Sequence, residues 1–212
     1  MRNNFDEQLE ILHTKISEMG ALCEYLIAMS AKALLDNDSE FAGRVLSLGE
    51  KVDDMEREIE DICLKLLLRQ QPVAGDLRQI SSALKIITDM ERIGDQAEDI
   101  AEITTYLHHL GKIEYKDMHL MAQKVIKMVS DSVHAYINGD IELAREVILY
   151  DDNVDSCFIK IKTDLIKTIS DSSENAEYAL DLLMIAKYFE RIGDHATNIG
   201  EWVEFSVTGT HK

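Results

Sequence analysis

One block of seventeen residues occurs twice in this chain. Residues 86–102 read IITDMERIGDQAEDIAE and residues 185–201 read IAKYFERIGDHATNIGE, with nine identical positions at a constant offset of 99. The likeness extends upstream, where Val52-Asp53 corresponds to Val154-Asp155 at an offset of 102. Because a repeat at this spacing marks two similar structural units, it constrains the fold of all 212 residues.

The composition favours helices within each repeat. The chain has a single proline and ten glycines, and Leu, Ile, Ala, Glu and Lys recur throughout; such side chains lose little rotamer freedom in a helix. The predicted fold class is all-α, with two tandem three-helix bundles, the first at 1–110 and the second at 111–212. The predicted helices span 5–36, 39–69, 74–108, 114–137, 140–169 and 174–207.

Turn signals separate these helices at equivalent places. Asn37-Asp38-Ser39 and Asn138-Gly139-Asp140 are typical of turns that lead into helix N-caps. Pro72 predicts a loop or helix start between the second and third helices of the first repeat. Gly111 marks the join between repeats, and a linker this short predicts that the two bundles pack side by side.

Charge and cysteine content narrow the classes of function. The formal net charge is −18, and no basic stripe is visible, so direct nucleic-acid binding is not expected. The three cysteines form no zinc-type spacing, which favours a reducing compartment. The first residues, MRNNFDEQLE, lack the apolar stretch of a signal peptide, and no apolar window approaches the roughly 20 residues that span a bilayer. A cytoplasmic protein is therefore expected.

The third helix of each repeat carries an apolar seam with spacings of three and four, which predicts a core-facing surface. In the first repeat the seam comprises Ile86, Met90, Ile93, Ala97, Ile100, Thr104 and Leu107. In the second it comprises Ile185, Phe189, Ile192, Ala196, Ile199 and Val203.

A second stripe on the same helices turns from apolar to acidic. Ile80, Leu84 and Ile87 lead into Glu91, Asp95, Glu98 and Glu102, and Ala179, Leu183 and Ala186 lead into Glu190, Asp194, Thr197 and Glu201. Carboxylates four residues apart repel each other by roughly 0.2–0.5 kcal/mol per pair. A bound cation would offset this cost, since hard metals take several oxygen ligands.

The second helix of each repeat offers facing carboxylates. The first repeat has Glu50, Asp53, Glu56 and Glu60, whereas the second has Asp152 and Asp155, with Phe158 and Lys162 in place of Glu56 and Glu60. The second site is therefore expected to hold fewer ions. A solvated acidic face, balanced by arginines and lysines, is the alternative interpretation.

The glycines and the histidine beside the acidic residues each have two interpretations. Gly94 and Gly193 lie inside helices, where glycine costs about 1 kcal/mol relative to alanine; close approach of another helix explains them better than room for a ligand. His195 follows the second acidic pair and is a candidate ligand, although a single histidine on a helix is more often a polar surface residue.

These residues resemble the PhoU family of accessory regulators of bacterial phosphate transport. The paired ERIGD blocks and RQQPVAGDLR at 69–78 carry the resemblance, which covers essentially the whole chain. It implies two similar three-helix, spectrin-repeat-like bundles and iron or other divalent metal at Glu91, Asp95, Glu190 and Asp194. The same expectation extends, with less support, to Asp53 and Asp155, and then to Glu56, Glu60, Glu102 and Glu201.

The resemblance also implies partners. Family members connect the phosphate ABC transporter, through its ATPase PstB, with the sensor kinase PhoR, and silence the phosphate-starvation regulon when phosphate is plentiful. Homodimers are common among them. An enzymatic role, such as a di-iron centre, is not expected, because the ERIGD helices contain no Glu-x-x-His motif. An acidic helical adaptor that works without metal stays open as the rival interpretation.

Overall fold

The computed structural model describes residues 2–36, 38–69, 73–107 and 116–210. They form six α-helices, with a 3-10 turn at Ser173–Asn175 before the last, and no strand occurs among these residues. The helices are α1 (Arg2–Asp36), α2 (Ser39–Arg69), α3 (Ala74–Tyr106), α4 (Lys116–Asn138), α5 (Ile141–Asp171) and α6 (Ala176–Thr208). The predicted class, all-α with two tandem three-helix bundles, is confirmed.

Side-chain caps start the second helix of each repeat as predicted. The Asp38 carboxylate accepts a hydrogen bond from the Glu40 N–H at 2.8 Å, and the Asp140 carboxylate accepts one from the Leu143 N–H at 3.0 Å. Gly139, just before Asp140, has φ +63°, a conformation that glycine adopts without steric cost. These contacts satisfy backbone donors that a helix start leaves without partners.

The predicted helix ends differ from the observed ones by a few residues. The 3-10 turn delays the start of α6 to Ala176 instead of 174, and α5 continues to Asp171 instead of ending at 169. Asn37, Pro72, Gly111 and the boundary predicted at 110/111 lie outside the described residues.

The two bundles lie side by side, as predicted. Helix α3 packs along α6, and α1 packs against α4, while α2 and α5 flank the pair on the outside. All residues of the two predicted apolar seams are buried; those of α6 are completely inaccessible to solvent. The seam prediction is therefore confirmed, and α3 and α6 form the centre of one continuous core.

All three cysteines are buried and unpaired. Within the described ranges, no helix has an apolar stretch long enough to cross a bilayer.

Candidate metal centre

Three carboxylates from two helices meet in the first repeat. Asp53 of α2 and Glu91 and Asp95 of α3 each place one oxygen so that the three lie within 4.8 Å of one another. All three side chains are partly buried. Gly94 makes this approach possible, because a Cβ there would lie only 3.1 Å from Val52 Cγ1 of α2. The close-packing interpretation of Gly94 is thus confirmed.

Burial and mutual repulsion raise the pKa values of carboxyl groups in this first cluster. Burial, followed by the charge of Asp95, raises the pKa of Glu91 above its ordinary value. Burial and the charge of Asp53 do the same to the pKa of Asp95. Arg92 lies 3.4 Å from Glu91, but its side chain is more than half exposed, so water screens much of its effect. The cluster thus has surplus negative charge that a cation would balance.

Glu98 lies beside this cluster, although the sequence prediction did not select it as a ligand. Its carboxylate occupies the space directly over Gly49 of α2, where any Cβ would overlap it. Burial, together with the charges of Asp95 and Asp53, raises the pKa of Glu98 to about 7. The carboxylate is therefore held where ionisation is costly without a counter-charge.

The second repeat brings a different set together. Asp151 of α5 faces α6, and its Oδ1 lies 3.1 Å from the position that a Cβ on Gly193 would take. Burial, then the charges of Asp155, Asp194 and Glu190, raise the pKa of Asp151 to about 6. Asp155 and Asp194 are exposed, and Glu190 is partly buried. Among the described residues, these carboxylates do not gather as tightly as those of the first cluster.

Asp151 is a site residue that the sequence prediction missed. Its Oδ1 is buried and has no hydrogen-bond partner, a costly state for a carboxylate oxygen. The signal was available, because Asp151 aligns with Gly49 at the offset of 102 and opens a D-x-x-x-D pattern with Asp155. Both interpretations of Gly193 therefore hold. The α5 helix packs closely there, with Val154 Cγ1 3.4 Å from the Cβ position, and the Asp151 carboxylate also occupies the space beside this glycine.

A lysine enters the second cluster. The Lys187 ammonium forms an ion pair with Glu190 and lies 5.6 Å from the centre of the Phe158 ring. The equivalent residues of the first repeat are Thr88 and Glu56, whose side chains form a 3.1 Å hydrogen bond. A positive group in the second repeat thus takes the place of a polar one in the first.

The remaining predicted ligands lie at the edges of the clusters. Glu56 is partly buried and lies close enough to Glu91 to raise its pKa. Glu60, Glu102 and Glu201 are exposed and outside the three-carboxylate group, and Glu102 is hydrogen-bonded to Tyr106. The structure therefore does not bring these three residues into a common site.

A polar bridge joins the two repeats between the clusters. Asp89 of α3 accepts hydrogen bonds from His195 Nδ1 at 2.9 Å and from Asn198 Nδ2 at 3.1 Å, both on α6. At the pseudo-symmetric place, Tyr188 of α6 is hydrogen-bonded to Asp99 of α3. His195 thus contributes an inter-repeat contact, which the sequence interpretation as a ligand or surface residue did not foresee.

The donor set fits a hard divalent cation. Every candidate ligand in both clusters is a carboxylate, and Mg²⁺, Mn²⁺, Ca²⁺ and iron accept oxygen ligands. The buried Asp151 oxygen without a partner and the Glu98 carboxylate over Gly49 are acceptors that such an ion would satisfy. The group of Asp53, Glu91 and Asp95 contains no thiol or imidazole, the ligand types that softer metals prefer.

The raised carboxyl pKa values predict that the metal-free protein loses stability as the pH rises. A carboxyl that binds its proton more tightly when folded stabilises the fold below its folded pKa, and this contribution is lost as the pH passes that value. The pKa of Glu98 rises from 4.5 to about 7 and that of Asp151 from 3.8 to about 6, so the loss of stability falls between about pH 4 and 7. Thermal melts of metal-free protein at pH 5.5 and 8 should give the lower melting temperature at pH 8.

The isosteric variant Glu98→Gln provides the control for this pH effect. It cannot ionise, so its melting temperature should depend less on pH than that of the unmodified chain. A melting temperature that rises from pH 5.5 to 8 in metal-free protein would contradict the assignment.

Comparison with known proteins places the whole chain in one group. The family model described as "PhoU domain" matches twice, over residues 16–104 and 118–203. A phosphate-specific transport system accessory protein PhoU homolog from Clostridium acetobutylicum is 36% identical over 212 residues, covering 98% of this chain and 96% of that protein. A protein of the same description from Pseudomonas aeruginosa is 34% identical, covering 97% and 86%.

Solved structures agree with the fold. The crystal structure of PhoU from Pseudomonas aeruginosa superimposes with a TM-score of 0.92 at 34% identity, covering 97% of this chain and all of the other. The phosphate transport system regulatory protein PhoU from Streptococcus pneumoniae gives a TM-score of 0.92 at 24% identity and supports the fold alone.

Proposed function

The chain belongs to the PhoU family, and from this we propose that it is a cytoplasmic regulator of phosphate uptake and of phosphate-starvation signalling. The observation that carries the proposal is likeness over nearly the full length to phosphate transport accessory proteins. We propose that the chain modulates the phosphate ABC transporter and represses the Pho regulon when phosphate is plentiful. It does so as an adaptor, not as an enzyme.

The proposed partners are the transporter ATPase PstB and the sensor kinase PhoR. A chain with a net charge of −18 suits a basic patch on a partner protein, since complementary charge speeds and orients association. The proposed working form is a homodimer, in keeping with the family resemblance. The contact with the membrane is indirect, through these partners.

We further propose that metal ions bind to the acidic helix faces of the two repeats. In the first repeat Asp53, Glu91 and Asp95 bind the ion and Glu56 supports them. In the second, Glu190 and Asp194 bind with Asp155. Glu60, Glu102 and Glu201 are outer residues that contribute charge. When bound, the metal neutralises the repulsion between carboxylates and links α2 to α3 and α5 to α6.

The regulatory role is tested in a bacterial host that lacks its own PhoU homologue. Expression of this chain should restore repression of a phosphate-starvation reporter in phosphate-rich medium. The variant Glu91→Gln/Asp95→Asn, made at normal abundance, should restore less of it, while Glu60→Gln/Glu102→Gln should act like the unmodified chain. Full repression by both variants would support the metal-independent adaptor, and no repression by the unmodified chain would overturn the regulatory proposal.

Lys187 explains why the second site should bind metal more weakly. Its ammonium competes with a metal ion for Glu190. Substituting Lys187→Thr, the residue at the equivalent position 88, removes an ion pair worth about 1 kcal/mol or less. Isothermal titration with Mn²⁺ should then show the weaker site tightening by up to about five-fold.

Lys167→Thr is the matched control for the lysine substitution. It also removes one positive charge, but from the far end of α5, where screening by salt weakens any long-range effect. Equal tightening in both variants would mean that overall charge, and not the Glu190 contact, sets the affinity.

A further inference from the structure

The helices of the two repeats pack in the same register around their central glycines. Val52 lies against Gly94 in the first repeat, with 3.1 Å to the Cβ position, and Val154 lies against Gly193 in the second, with 3.4 Å. The offset of 102 between the second helices and of 99 between the third helices therefore relates positions that are equivalent in space. Residues can be compared pair by pair across these two interfaces.

At one pair of facing positions, the carboxylate lies on a different helix in each repeat. Gly49 on α2 faces Glu98 on α3 in the first repeat. The equivalent positions in the second are Asp151 on α5 and Thr197 on α6. Each pair thus contains one carboxylate, but the third helix supplies it in the first repeat and the second helix supplies it in the other.

The space at this pair accepts one carboxylate and no more. The Glu98 carboxylate fills the room that any side chain at Gly49 would take. In the second repeat the shorter Thr197 stands at the position of Glu98, and the Asp151 Oδ1 lies 3.1 Å from the Cβ position of Gly193 on α6. The Asp151 Oδ1 and the Thr197 Oγ1 are both buried without a hydrogen-bond partner, so this carboxylate oxygen receives no hydrogen bond.

Both carboxylates face the clusters described above. After burial, the charges of Asp95 and Asp53 have the largest effects on the Glu98 carboxylate. The charges of Asp155 and Asp194 have the same place for Asp151. Since a buried carboxylate among other carboxylates needs a counter-charge, a cation shared with the cluster satisfies each one.

We propose that Glu98 is a metal-facing residue of the first cluster and does there what Asp151 does in the second. This inference rests on the proposed metal binding. It gives each repeat four carboxylates, Asp53, Glu91, Asp95 and Glu98 in one and Asp151, Asp155, Glu190 and Asp194 in the other. The second repeat is then not deficient in carboxylates, and its weaker binding comes from Lys187.

Exchanging the pair tests the proposal. Mn²⁺ is titrated calorimetrically into metal-free unmodified protein, Glu98→Thr, and Gly49→Asp/Glu98→Thr, which carries the second-repeat arrangement in the first repeat. Glu98→Thr should weaken one site by about ten-fold or more. The double variant should recover most of that affinity, and its gain in melting temperature with Mn²⁺ should return as well.

Two further variants serve as controls for the role of Glu98. Glu98→Gln preserves size and should lose affinity like Glu98→Thr, so a folding defect, checked by helical circular dichroism, can be separated from loss of the carboxylate. Asp164→Asn, which removes one exposed carboxylate on α5 that belongs to neither cluster, should bind as the unmodified chain does. Unchanged binding in both Glu98 variants, or a folded double variant that recovers nothing, overturns the role of Glu98 alone. An unmodified protein that binds no Mn²⁺ overturns the metal proposal as well.

Discussion

Removing bound metal is expected to lower the melting temperature of the protein by about 5–10 °C. A ligand that binds only the folded state stabilises it by RT ln(1 + [L]/Kd), about 2.7 kcal/mol at a hundred-fold excess over Kd. For a chain of this length, 1 kcal/mol corresponds to about 2–4 °C. Thermal melts at pH 8 after dialysis against chelator, and again after Mn²⁺ is added back, measure the shift.

The variant Glu91→Gln/Asp95→Asn identifies the first cluster as the source of this shift. Removing two of its three closest carboxylates should abolish most of the metal-dependent gain. The metal-free variant should also melt no lower than the metal-free parent, because the burial cost and the repulsion that raise the pKa of Glu91 and Asp95 are gone. Glu60→Gln/Glu102→Gln removes two exposed carboxylates instead and should keep the full gain.

Superimposable melting curves of the unmodified protein with and without metal would count against a tightly held ion. The acidic helical adaptor without metal would then be the better account of the chain. Elemental analysis of protein purified without a histidine tag identifies which ion is held, a question that carboxylate ligands leave open.

The fold was predictable because local and global signals agree. The seam from Ile86 to Ile100 has helical spacing, and every one of its predicted members is buried. Asp140 and Gly139 mark the turn that the structure places there. The extra 3-10 turn before Ala176 was not predicted. Ser, Glu and Asn allow the first turn of a helix to form with either 3-10 or α-helical hydrogen bonds, so the sequence does not fix which one occurs.

The site was predictable only in part. The repeated ERIGD block identifies Glu91 and Asp95 because spacing of four places them on one helix face. Glu98 was missed, since its role depends on which side chain fills the narrow gap between two helices, and that gap is set by tertiary packing. Asp151 was missed although the D-x-x-x-D pattern that it opens was a sequence signal. Lys187 was also missed, although Glu190 lies three residues after it on the same helix, a spacing at which side chains of opposite charge pair.

The same dependence on tertiary packing predicts a large effect at the centre of the second bundle. Phe189 is completely buried on α6, the helix that packs against α3, α4 and α5. Phe189→Ala should lower the free energy of unfolding by about 3–5 kcal/mol, through lost burial and the cavity left behind. The melting temperature should fall by roughly 6–20 °C, as measured by circular dichroism.

Phe189→Met is the matched control, because Met90 is the equivalent residue of the first repeat and is equally buried. A flexible methionine fills an irregular gap, so its cost should be below about 2 kcal/mol. Phe189 points into the core while its neighbour Glu190 belongs to the acidic cluster. The alanine variant should therefore keep its Mn²⁺ stoichiometry at low temperature even though its melting temperature falls. Loss of metal binding in a fully helical Phe189→Ala protein would mean that the core and the carboxylate face of α6 are not separable.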